Sequence, residues 1–270
     1  MTFTPPEDVA RRVAETARGR RLLVLLDFDG TLCEFQPEPQ QVWLRRERRM
    51  ALQQLLTLGR VSAGFVSGRR LSDLRERVGL TGDMWFAGLH GLEIEGFGRR
   101  FIHPRVAETR GLLRVLGRAL RQHVAHLPGV IVEDKELSIA LHVRSASPQH
   151  KREASAVFER MATPQVEEGT LRLMPGSDVS ELLPNIAWNK GDAALWIRQA
   201  EGEIRGVQPV TFYVGDDVTD EDAFKAIGPA GSIMVGPRPS KVETRLENPS
   251  AVEQFLRALR DALVKPAETS

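Results

Sequence analysis

Two aspartates one residue apart, Asp27 and Asp29, follow the apolar run Leu22–Leu26 and lead into Gly30 and Thr31. A continuous apolar run of this kind is typical of a strand buried on both faces, as in a parallel sheet. Open α/β sheets bind their ligands at the carboxyl ends of such strands. Two carboxylates cannot stay ionised in a dry interior without a partner, and hard cations take oxygen ligands. The motif therefore predicts a cation-dependent active site rather than an acidic surface turn.

Polar residues also follow two further predicted strands and open one predicted helix. A hydroxyl, a backbone amide beside glycine and a guanidinium are groups that bind phosphate. A lysine can meet a phosphate as a point charge, and carboxylates suit a hard cation. Each segment alone has a simpler explanation, namely a turn, a surface lysine or a capping box between Thr219 and Asp222. In this order after the two aspartates they predict one catalytic site. The segments are Ser67-Gly68-Arg69, Asn189-Lys190-Gly191 and Gly215-Asp216-Asp217.

Strand-like runs alternate with helical patterns along most of the chain, which predicts an α/β fold with a Rossmann-like, doubly wound parallel sheet. The last helix is predicted to begin at a capping box of Ser250 and Glu253. The arginine-rich segment Arg45–Arg49 is predicted to be the solvated face of a helix rather than a nucleic-acid patch. The predicted strands are Leu22–Leu26, Val61–Val66, Met84–Ala87, Val210–Val214 and Ser232–Val235.

The middle of the chain has a different pattern, because its predicted strands come in pairs. The order is helix, two strands, helix, two strands, and Ser147 with Pro148 is predicted to start the second helix. This order predicts an inserted α+β domain, a four-stranded antiparallel sheet covered on one face by two helices. We therefore predict a core of residues 1–103 and 184–270 around an inserted domain of residues 104–183.

Strand parity predicts what the uncovered face of the inserted sheet carries, since alternate residues point to opposite sides. Leu137, Ile139, Leu141 and Val143 share one face and are expected to meet the helices. The other face is then polar and suits a hydroxyl-rich ligand, unless it is simply wetted by solvent. The residues predicted on that face are Ser138, Ala140, His142, Arg144, Glu133 and Lys135.

Composition excludes several classes of protein. Among 270 residues, 37 Lys and Arg stand against 36 Asp and Glu, so no global charge attracts nucleic acid or anionic lipid. Cys33 is the single cysteine, which excludes an internal disulfide and a thiolate metal cluster. The first residues lack the apolar segment of a signal peptide, and no run approaches the ~20 apolar residues of a membrane span. We expect a cytoplasmic monomer that binds neither nucleic acid nor membranes.

Together, the motifs around Asp27, Ser67, Lys190 and Asp216 resemble the four motifs of the haloacid dehalogenase (HAD) superfamily of phosphotransferases. Segments of both predicted domains further resemble the trehalose-6-phosphate phosphatase family. The resemblance implies a HAD-like core, a mobile cap formed by the inserted domain, and Mg²⁺-dependent hydrolysis of trehalose 6-phosphate to trehalose and phosphate. The segments that carry it are 66–69, 88–91, 132–135, 142–144, 189–191 and 215–221.

The resemblance also implies catalytic roles. Asp27 would attack phosphorus and form an aspartyl-phosphate. Asp29 would protonate the departing sugar oxygen and later deprotonate the water that releases phosphate. Ser67 and Lys190 would hold the phosphoryl oxygens, so that charge developing in the transition state meets fixed partners.

The implied Mg²⁺ ligands are the Asp27 carboxylate, the Asp29 backbone carbonyl and Asp216, with Asp217 and Asp220 supporting them. The implied sugar contacts lie in the inserted domain. Carboxylates and an ammonium there would bond several hydroxyls at once. These contacts are Glu133, Lys135 and Glu181, and the further candidates for substrate binding are Thr31, Arg69, His90, His142, Arg144 and Asn189.

One departure from the family pattern leaves alternatives open. The family usually has an arginine before the proline that follows the glutamate, whereas this chain reads Glu181-Leu182-Leu183-Pro184. A phosphatase of another glycosyl phosphate, such as sucrose or mannosylglycerate phosphate, is the nearest alternative. A phosphomannomutase of the same superfamily and a non-catalytic sugar-phosphate sensor are the others. Loss of Asp27, Asp29 or Lys190 would indicate a sensor, and all are present.

Overall fold

The computed structural model describes residues 2–36 and 38–264. The chain divides into two compact units: unit 1, Met1–Phe101 and Trp188–Ser270, and unit 2, Ile102–Ala187. The predicted boundaries lay at 103/104 and 183/184. The roles assigned to the two domains stay predictions.

Strands and helices alternate in the order expected of an α/β chain. The strands are β1 Leu22–Leu26, β2 Val61–Val66, β3 Trp85–Gly88, β4 Glu93–Gly96, β5 Arg99–Ile102, β6 Ile131–Asp134, β7 Ile139–His142, β8 Leu171–Gly176, β9 Val179–Pro184, β10 Val210–Gly215, β11 Ser232–Val235 and β12 Arg245–Leu246. The helices are α1 Pro6–Thr16, α2 Arg46–Leu56, α3 Leu71–Val78, α4 Val106–Val124, α5 Pro148–Glu167, α6 Lys190–Arg205, α7 Asp220–Ile227 and α8 Pro249–Val264. Within the described part of the chain, none of these helices combines the length and apolarity that crossing a bilayer requires.

Unit 1 contains, among its described residues, an eight-stranded sheet in the order β12-β11-β10-β1-β2-β3-β4-β5. The strands from β12 to β3 pair in parallel, and β4 pairs antiparallel with β3. The predicted α/β fold with a doubly wound sheet is thereby confirmed. The last two strands at one end of the sheet, β4 and β5, were not predicted, because polar residues such as Glu93, Glu95 and Arg99 interrupt any apolar run there.

The two faces of β1 are covered by different helices. Leu22, Val24 and Leu26 join a core with side chains of α1, α2 and α8. Leu23 and Leu25 join another core with side chains of α6 and α7. Burial on both faces explains the unbroken apolar run. The carboxyl end of β1, where Asp27 follows, is therefore held by a fully packed strand.

The start of α8 differs from the prediction. The Asn248 side chain accepts a hydrogen bond from the Ala251 amide at 3.0 Å, and Pro249 is the first helical residue. The predicted capping box of Ser250 and Glu253 was therefore wrong. Proline suits the first helical position because it needs no amide donor and its φ is already helical.

The arginine-rich segment on α2 is not uniformly solvated, so that prediction was wrong for one residue. Arg48 is 1 % exposed. Its guanidinium donates to the Leu32 carbonyl at 2.8 Å and to Glu34 at 2.9 and 2.5 Å. Arg48 can be buried because the loop beside the helix offers acceptors for its guanidinium. The pattern of charges along the helix does not reveal those acceptors.

Unit 2, all of whose residues are described, contains an antiparallel sheet in the order β6-β7-β9-β8. Side chains of α4 and α5 share one core with Ile139, Leu141 and Val143. The sheet and the predicted parity are confirmed. The Ser147 side chain accepts a hydrogen bond from the His150 amide at 3.2 Å, which confirms the predicted start of α5.

Candidate active site

Asp27 lies directly after β1 and is 4 % exposed. Its amide donates to the Val214 carbonyl of β10 at 2.9 Å, which continues the sheet pairing past the end of β1. Its Oδ1 accepts a hydrogen bond from the Lys190 ammonium at 2.7 Å. Burial raises the pKa of Asp27 well above its ordinary value, although the Lys190 charge opposes this shift. The second oxygen of this carboxylate is not used by Lys190.

Lys190 is the first residue of α6 and has a fixed position. The Asn189 side chain accepts from the amides of Gly191 at 2.8 Å and Asp192 at 3.2 Å, and Asp192 accepts from the Asn189 amide at 2.9 Å. This reciprocal capping box defines where the helix begins. Asn189, predicted as a substrate contact, thus has a structural contact in the observed geometry.

The Lys190 ammonium bridges two carboxylates, because it also donates to Asp220 Oδ1 at 2.7 Å. Burial alone would lower the pKa of Lys190, but the charges of Asp220 and Asp27 raise it above its ordinary value. The ammonium is therefore a permanent positive charge at the end of the central strands.

Asp220 has both carboxylate oxygens occupied. Oδ1 accepts from Lys190 and from the Tyr213 hydroxyl, the latter at 2.7 Å. Oδ2 accepts from the amides of Asp216 at 3.0 Å and Asp217 at 2.9 Å. A carboxylate offers about four acceptor positions, so these four donors use its capacity. Asp220 therefore orients Lys190 and the turn at 216–217.

Excess negative charge is concentrated beside Asp27. Carboxylate oxygens of Asp27, Asp216 and Asp220 lie within 4.8 Å of one another. Burial, followed by the Asp220 charge, raises the pKa of Asp216 to about 7, while a hydrogen bond from Thr31, 2.9 Å long, opposes the shift. A Cβ at Gly30 would lie 2.1 Å from Asp216 Oδ2, so residue 30 must lack a side chain. Oxygen donors with surplus negative charge, from two buried acids and the half-buried Asp216, fit a hard divalent cation.

Asp29 is held by Arg69 in a bidentate ion pair. Arg69 Nε donates to Oδ2 at 2.7 Å and Nη2 donates to Oδ1 at 2.6 Å. Arg69 Nη1 donates to Asp73 at 2.9 Å, and Asp73 accepts from Arg77 at 2.6 Å. Arg69 thus engages both oxygens of Asp29 and fixes the orientation of that carboxylate. Arg69 itself, predicted to contact substrate, contacts Asp29 in this arrangement.

Ser67 and His90 lie side by side after β2 and β3. The Ser67 amide donates to the Ala87 carbonyl at 2.9 Å, and its carbonyl accepts from the His90 amide at 2.9 Å. The Ser67 hydroxyl accepts from the Arg69 amide at 3.2 Å. The His90 ring packs on Gly68, where a Cβ would approach its Nε2 to 2.8 Å. The strand ends therefore bring these two predicted residues together.

In unit 2 the sheet face turned away from α4 and α5 carries paired acids and bases. Glu133 lies 2.9 Å from His142 Nε2, and Glu181 accepts from Lys135 at 3.1 Å and from Ser138 at 2.5 Å. Burial would raise the pKa of Glu133, but the hydrogen bond from His142 and the Lys135 charge lower it overall. These side chains share the face that strand parity predicts.

Two predicted residues make other contacts, and two contributors were missed. Arg144 Nη2 donates to the Ser177 carbonyl over a long 3.5 Å, and the Asp217 amide and carbonyl both take part in the turn. Tyr213 and Arg238 bond to the acidic group or its backbone and were not predicted. Arg238 follows the predicted strand Ser232–Val235, so the rule that polar residues after strand ends carry function would have found it.

Comparison with known proteins gives a consistent family. The family model described as Trehalose-phosphatase matches residues 25–257. The trehalose-phosphate phosphatase of Mycobacterium tuberculosis (strain ATCC 25618 / H37Rv) is 33% identical over 273 residues, which cover 97% of this chain and 68% of that protein. The trehalose-phosphate phosphatase of Mycobacterium marinum is 36% identical over 250 residues, 90% of this chain and 62% of that protein.

Among solved structures, the C-terminal domain of the C. albicans trehalose-6-phosphate phosphatase matches with a TM-score of 0.81 at 20% identity, covering 97% of this chain and 98% of that chain. At this identity the likeness concerns the fold. The sequence relatives and the family model, which spans most of both units, extend the relationship beyond the fold. The chain belongs to the trehalose-phosphatase family.

Proposed function

We propose that this chain is a phosphoric monoester hydrolase that converts trehalose 6-phosphate to trehalose and phosphate with Mg²⁺. The observation that carries the proposal is the buried Asp27 carboxylate, bonded to Lys190 at 2.7 Å, at the end of the central strand of a trehalose-phosphatase family member. The uncatalysed hydrolysis of phosphate monoesters is among the slowest of biological reactions, so a covalent intermediate with fixed counter-charges suits its catalysis.

In the proposed reaction Asp27 attacks phosphorus through the oxygen that Lys190 does not hold. The bond from phosphorus to the sugar oxygen breaks, and water later hydrolyses the aspartyl-phosphate. Lys190 keeps Asp27 oriented and, with Ser67, binds phosphoryl oxygens. Asp29 donates a proton to the sugar oxygen, and it accepts a proton from the attacking water in the second step.

The cation is proposed to be held by the carboxylates of Asp27 and Asp216 and by the Asp29 carbonyl, with Asp217 and Asp220 in support. Bound there, Mg²⁺ would neutralise charge between the nucleophile and the dianionic phosphate. The donor set consists of oxygens, which suits this cation, and buried carboxylates close together favour its binding.

The sugar is proposed to bind Glu133, Lys135 and Glu181 of unit 2, with His142 and Arg144 beside them. Glutamates accept, and an ammonium donates, in bonds to hydroxyls, so these pairs match a disaccharide better than an apolar ligand. Thr31, Arg69, His90 and Asn189 stay predicted substrate contacts. The monomeric state and the cytoplasmic location also stay predictions.

The test is phosphate release from a panel of sugar phosphates, measured with Mg²⁺ and with excess chelator. We expect the highest kcat/KM for trehalose 6-phosphate, loss of activity in chelator and recovery on adding Mg²⁺. A preference for sucrose 6-phosphate or a mannosylglycerate phosphate would replace the substrate but keep the chemistry. Isomerised sugar phosphate without free phosphate would indicate a mutase, and binding without turnover would indicate a sensor.

A further inference from the structure

The turn at Asp216 and Asp217 is held from its inner side by Asp220. Asp220 Oδ2 accepts from both amides of the turn, at 3.0 and 2.9 Å. Asp220 is 0 % exposed and is itself fixed by Lys190 and Tyr213. The backbone amides of Asp216 and Asp217 therefore share one fixed acceptor, the Asp220 carboxylate.

The outer side of the same turn is held by Arg238. Arg238 Nε donates to the Asp216 carbonyl at 3.0 Å, and Nη2 donates to the Asp217 carbonyl at 3.0 Å and to Glu221 at 2.5 Å. A guanidinium presents its donors in a planar fork, so two carbonyls in one turn fix its orientation. Arg245 anchors the backbone of Arg238, because its Nη1 donates to the Arg238 carbonyl at 2.8 Å.

From this two-sided arrangement we infer that Arg238 is a positioning residue for the divalent cation site. It contacts the backbone of Asp216 rather than the cation, and it acts by fixing the peptide groups from which the Asp216 carboxylate projects. Its positive charge also offsets repulsion among the neighbouring carboxylates of the turn. Groups behind metal ligands change metal affinity when they are removed. The inference rests on the proposed function only in taking Asp216 as a cation ligand.

If Arg238 had a purely structural role, it would hold residues 236–240 against the turn without affecting the affinity for the cation. The experiment separates the two by measuring metal binding without substrate. Metal-free protein is titrated with Mn²⁺, a paramagnetic probe for Mg²⁺ sites, and free Mn²⁺ is read by electron paramagnetic resonance. The variants are Arg238→Met, which keeps the stem length, and Arg238→Lys, which keeps the charge but has no fork. Arg257→Met is the matched control. Arg257 likewise donates to a backbone carbonyl, that of Glu47 on α2, and to a carboxylate, that of Glu253 on α8.

We expect Arg238→Met to weaken Mn²⁺ binding about 10-fold or more, Arg238→Lys to weaken it by a smaller factor, and Arg257→Met to leave it unchanged. Excess Mg²⁺ should recover most of the phosphatase turnover that Arg238→Met loses. Unchanged Mn²⁺ affinity in a folded Arg238→Met protein, or absence of Mn²⁺ binding by the unmodified chain, would overturn the inference. If Arg238→Met does not fold, the Arg238→Lys affinity decides, with wild-type affinity counting against the inference.

The outcome is independent of the substrate. Mn²⁺ binding that depends on Arg238 in a protein without phosphatase activity would refute the proposed function and support the inference. Phosphatase activity together with an Mn²⁺ affinity that does not depend on Arg238 would support the proposed function and refute the inference.

Discussion

Two buried lysines occupy different electrostatic settings in the two units. Lys190 of unit 1 and Lys135 of unit 2 are 3 % and 8 % exposed. Lys190 faces Asp27 and Asp220, with Asp216 close by, so negative charge exceeds positive charge there. Lys135 donates to Glu181 at 3.1 Å, and its charge also acts on Glu133. The surplus of unit 1 favours a cation, whereas the pairing in unit 2 leaves little net charge.

The same residue types favour different ligands in the two units, because the ratio of acidic to basic side chains differs between them. A buried surplus of carboxylates is relieved by a divalent cation or by protons. Carboxylates that each have a basic partner, as Glu181 has Lys135 and Glu133 has His142, do not need a metal to balance their charge. Such paired groups suit neutral hydroxyl ligands, which both donate and accept hydrogen bonds.

The largest expected effect comes from Asp27→Asn. Because it removes the nucleophile while keeping the shape of the side chain, we expect kcat to fall about 10³-fold or more on every phosphate ester. Phosphate release from trehalose 6-phosphate and from p-nitrophenyl phosphate measures this. Asp83→Asn, the same change at an exposed position of unit 1, is the control. Activity that survives Asp27→Asn would contradict the mechanism.

Titration of individual carboxyl groups should separate the two regions directly. In metal-free protein we expect Asp216 to titrate with a pKa of about 7 and Glu133 with a pKa below its ordinary value. Carboxyl carbon NMR shifts followed against pH measure both, with Asp216→Asn as the assignment variant. Mg²⁺ should abolish the titration of Asp216 and leave that of Glu133.

The raised pKa of Asp216 also predicts how the stability of the metal-free protein changes with pH. Between its ordinary value of 3.8 and about 7, folded metal-free protein keeps a proton that the unfolded chain has released. Its stability should therefore fall as pH rises through that window, by linkage. Mg²⁺ should reverse the trend. A pKa of Asp216 near its ordinary value in metal-free protein would remove the contrast between the regions.

A selective effect is expected from Glu133→Ala. Hydrogen bonds to charged groups contribute ~1.5–3 kcal/mol, which corresponds to roughly 10- to 100-fold in kcat/KM for trehalose 6-phosphate. Turnover of p-nitrophenyl phosphate, which has no sugar, should change little. Glu159→Ala, the same change at an exposed position on α5, is the control. Equal losses on both substrates would argue against sugar recognition by unit 2.

The smallest functional effect is expected at a buried carboxylate outside both regions. Glu201 accepts from Ser62 at 2.5 Å, from Trp85 at 2.8 Å and from Arg205 at 3.1 Å. Glu201→Gln should lower the free energy of unfolding by about 1–3 kcal/mol while kcat stays at the wild-type value. Thermal unfolding and turnover measure the two. A large loss of turnover with stability retained would show that Glu201 acts in the reaction and would contradict this prediction.

Much of the architecture follows from local patterns. The apolar run of β1 predicts a strand covered on both faces, and the polar residues after the strands predict which groups gather at one edge of the sheet. In unit 2, parity correctly groups Glu133 with His142 and Lys135, because the two-residue period of a strand is a local property.

Contacts between distant segments could not be predicted in this way. Arg48 turns inward to the Leu32 carbonyl, and Arg238 reaches the turn at 216–217 across a loop. Arg48 does not differ in type or local pattern from a solvated arginine. The place of Arg238 after a strand end indicates function, but it does not identify the turn as its partner. The bidentate pairing of Asp29 with Arg69 likewise depends on the arrangement of two strand ends, so the sequence predicted both residues but not their contact.

The double pairing of Lys190 bears on how the proposed enzyme tolerates its own intermediate. When Asp27 becomes an acyl phosphate, its carboxylate no longer serves as a simple counter-ion. A buried ammonium left alone at that moment would be strongly unfavourable. Asp220, which accepts from Lys190 at 2.7 Å, takes no part in the proposed covalent step and stays beside the ammonium. The site can thus change the charge of its nucleophile twice per cycle without ever isolating its buried cation.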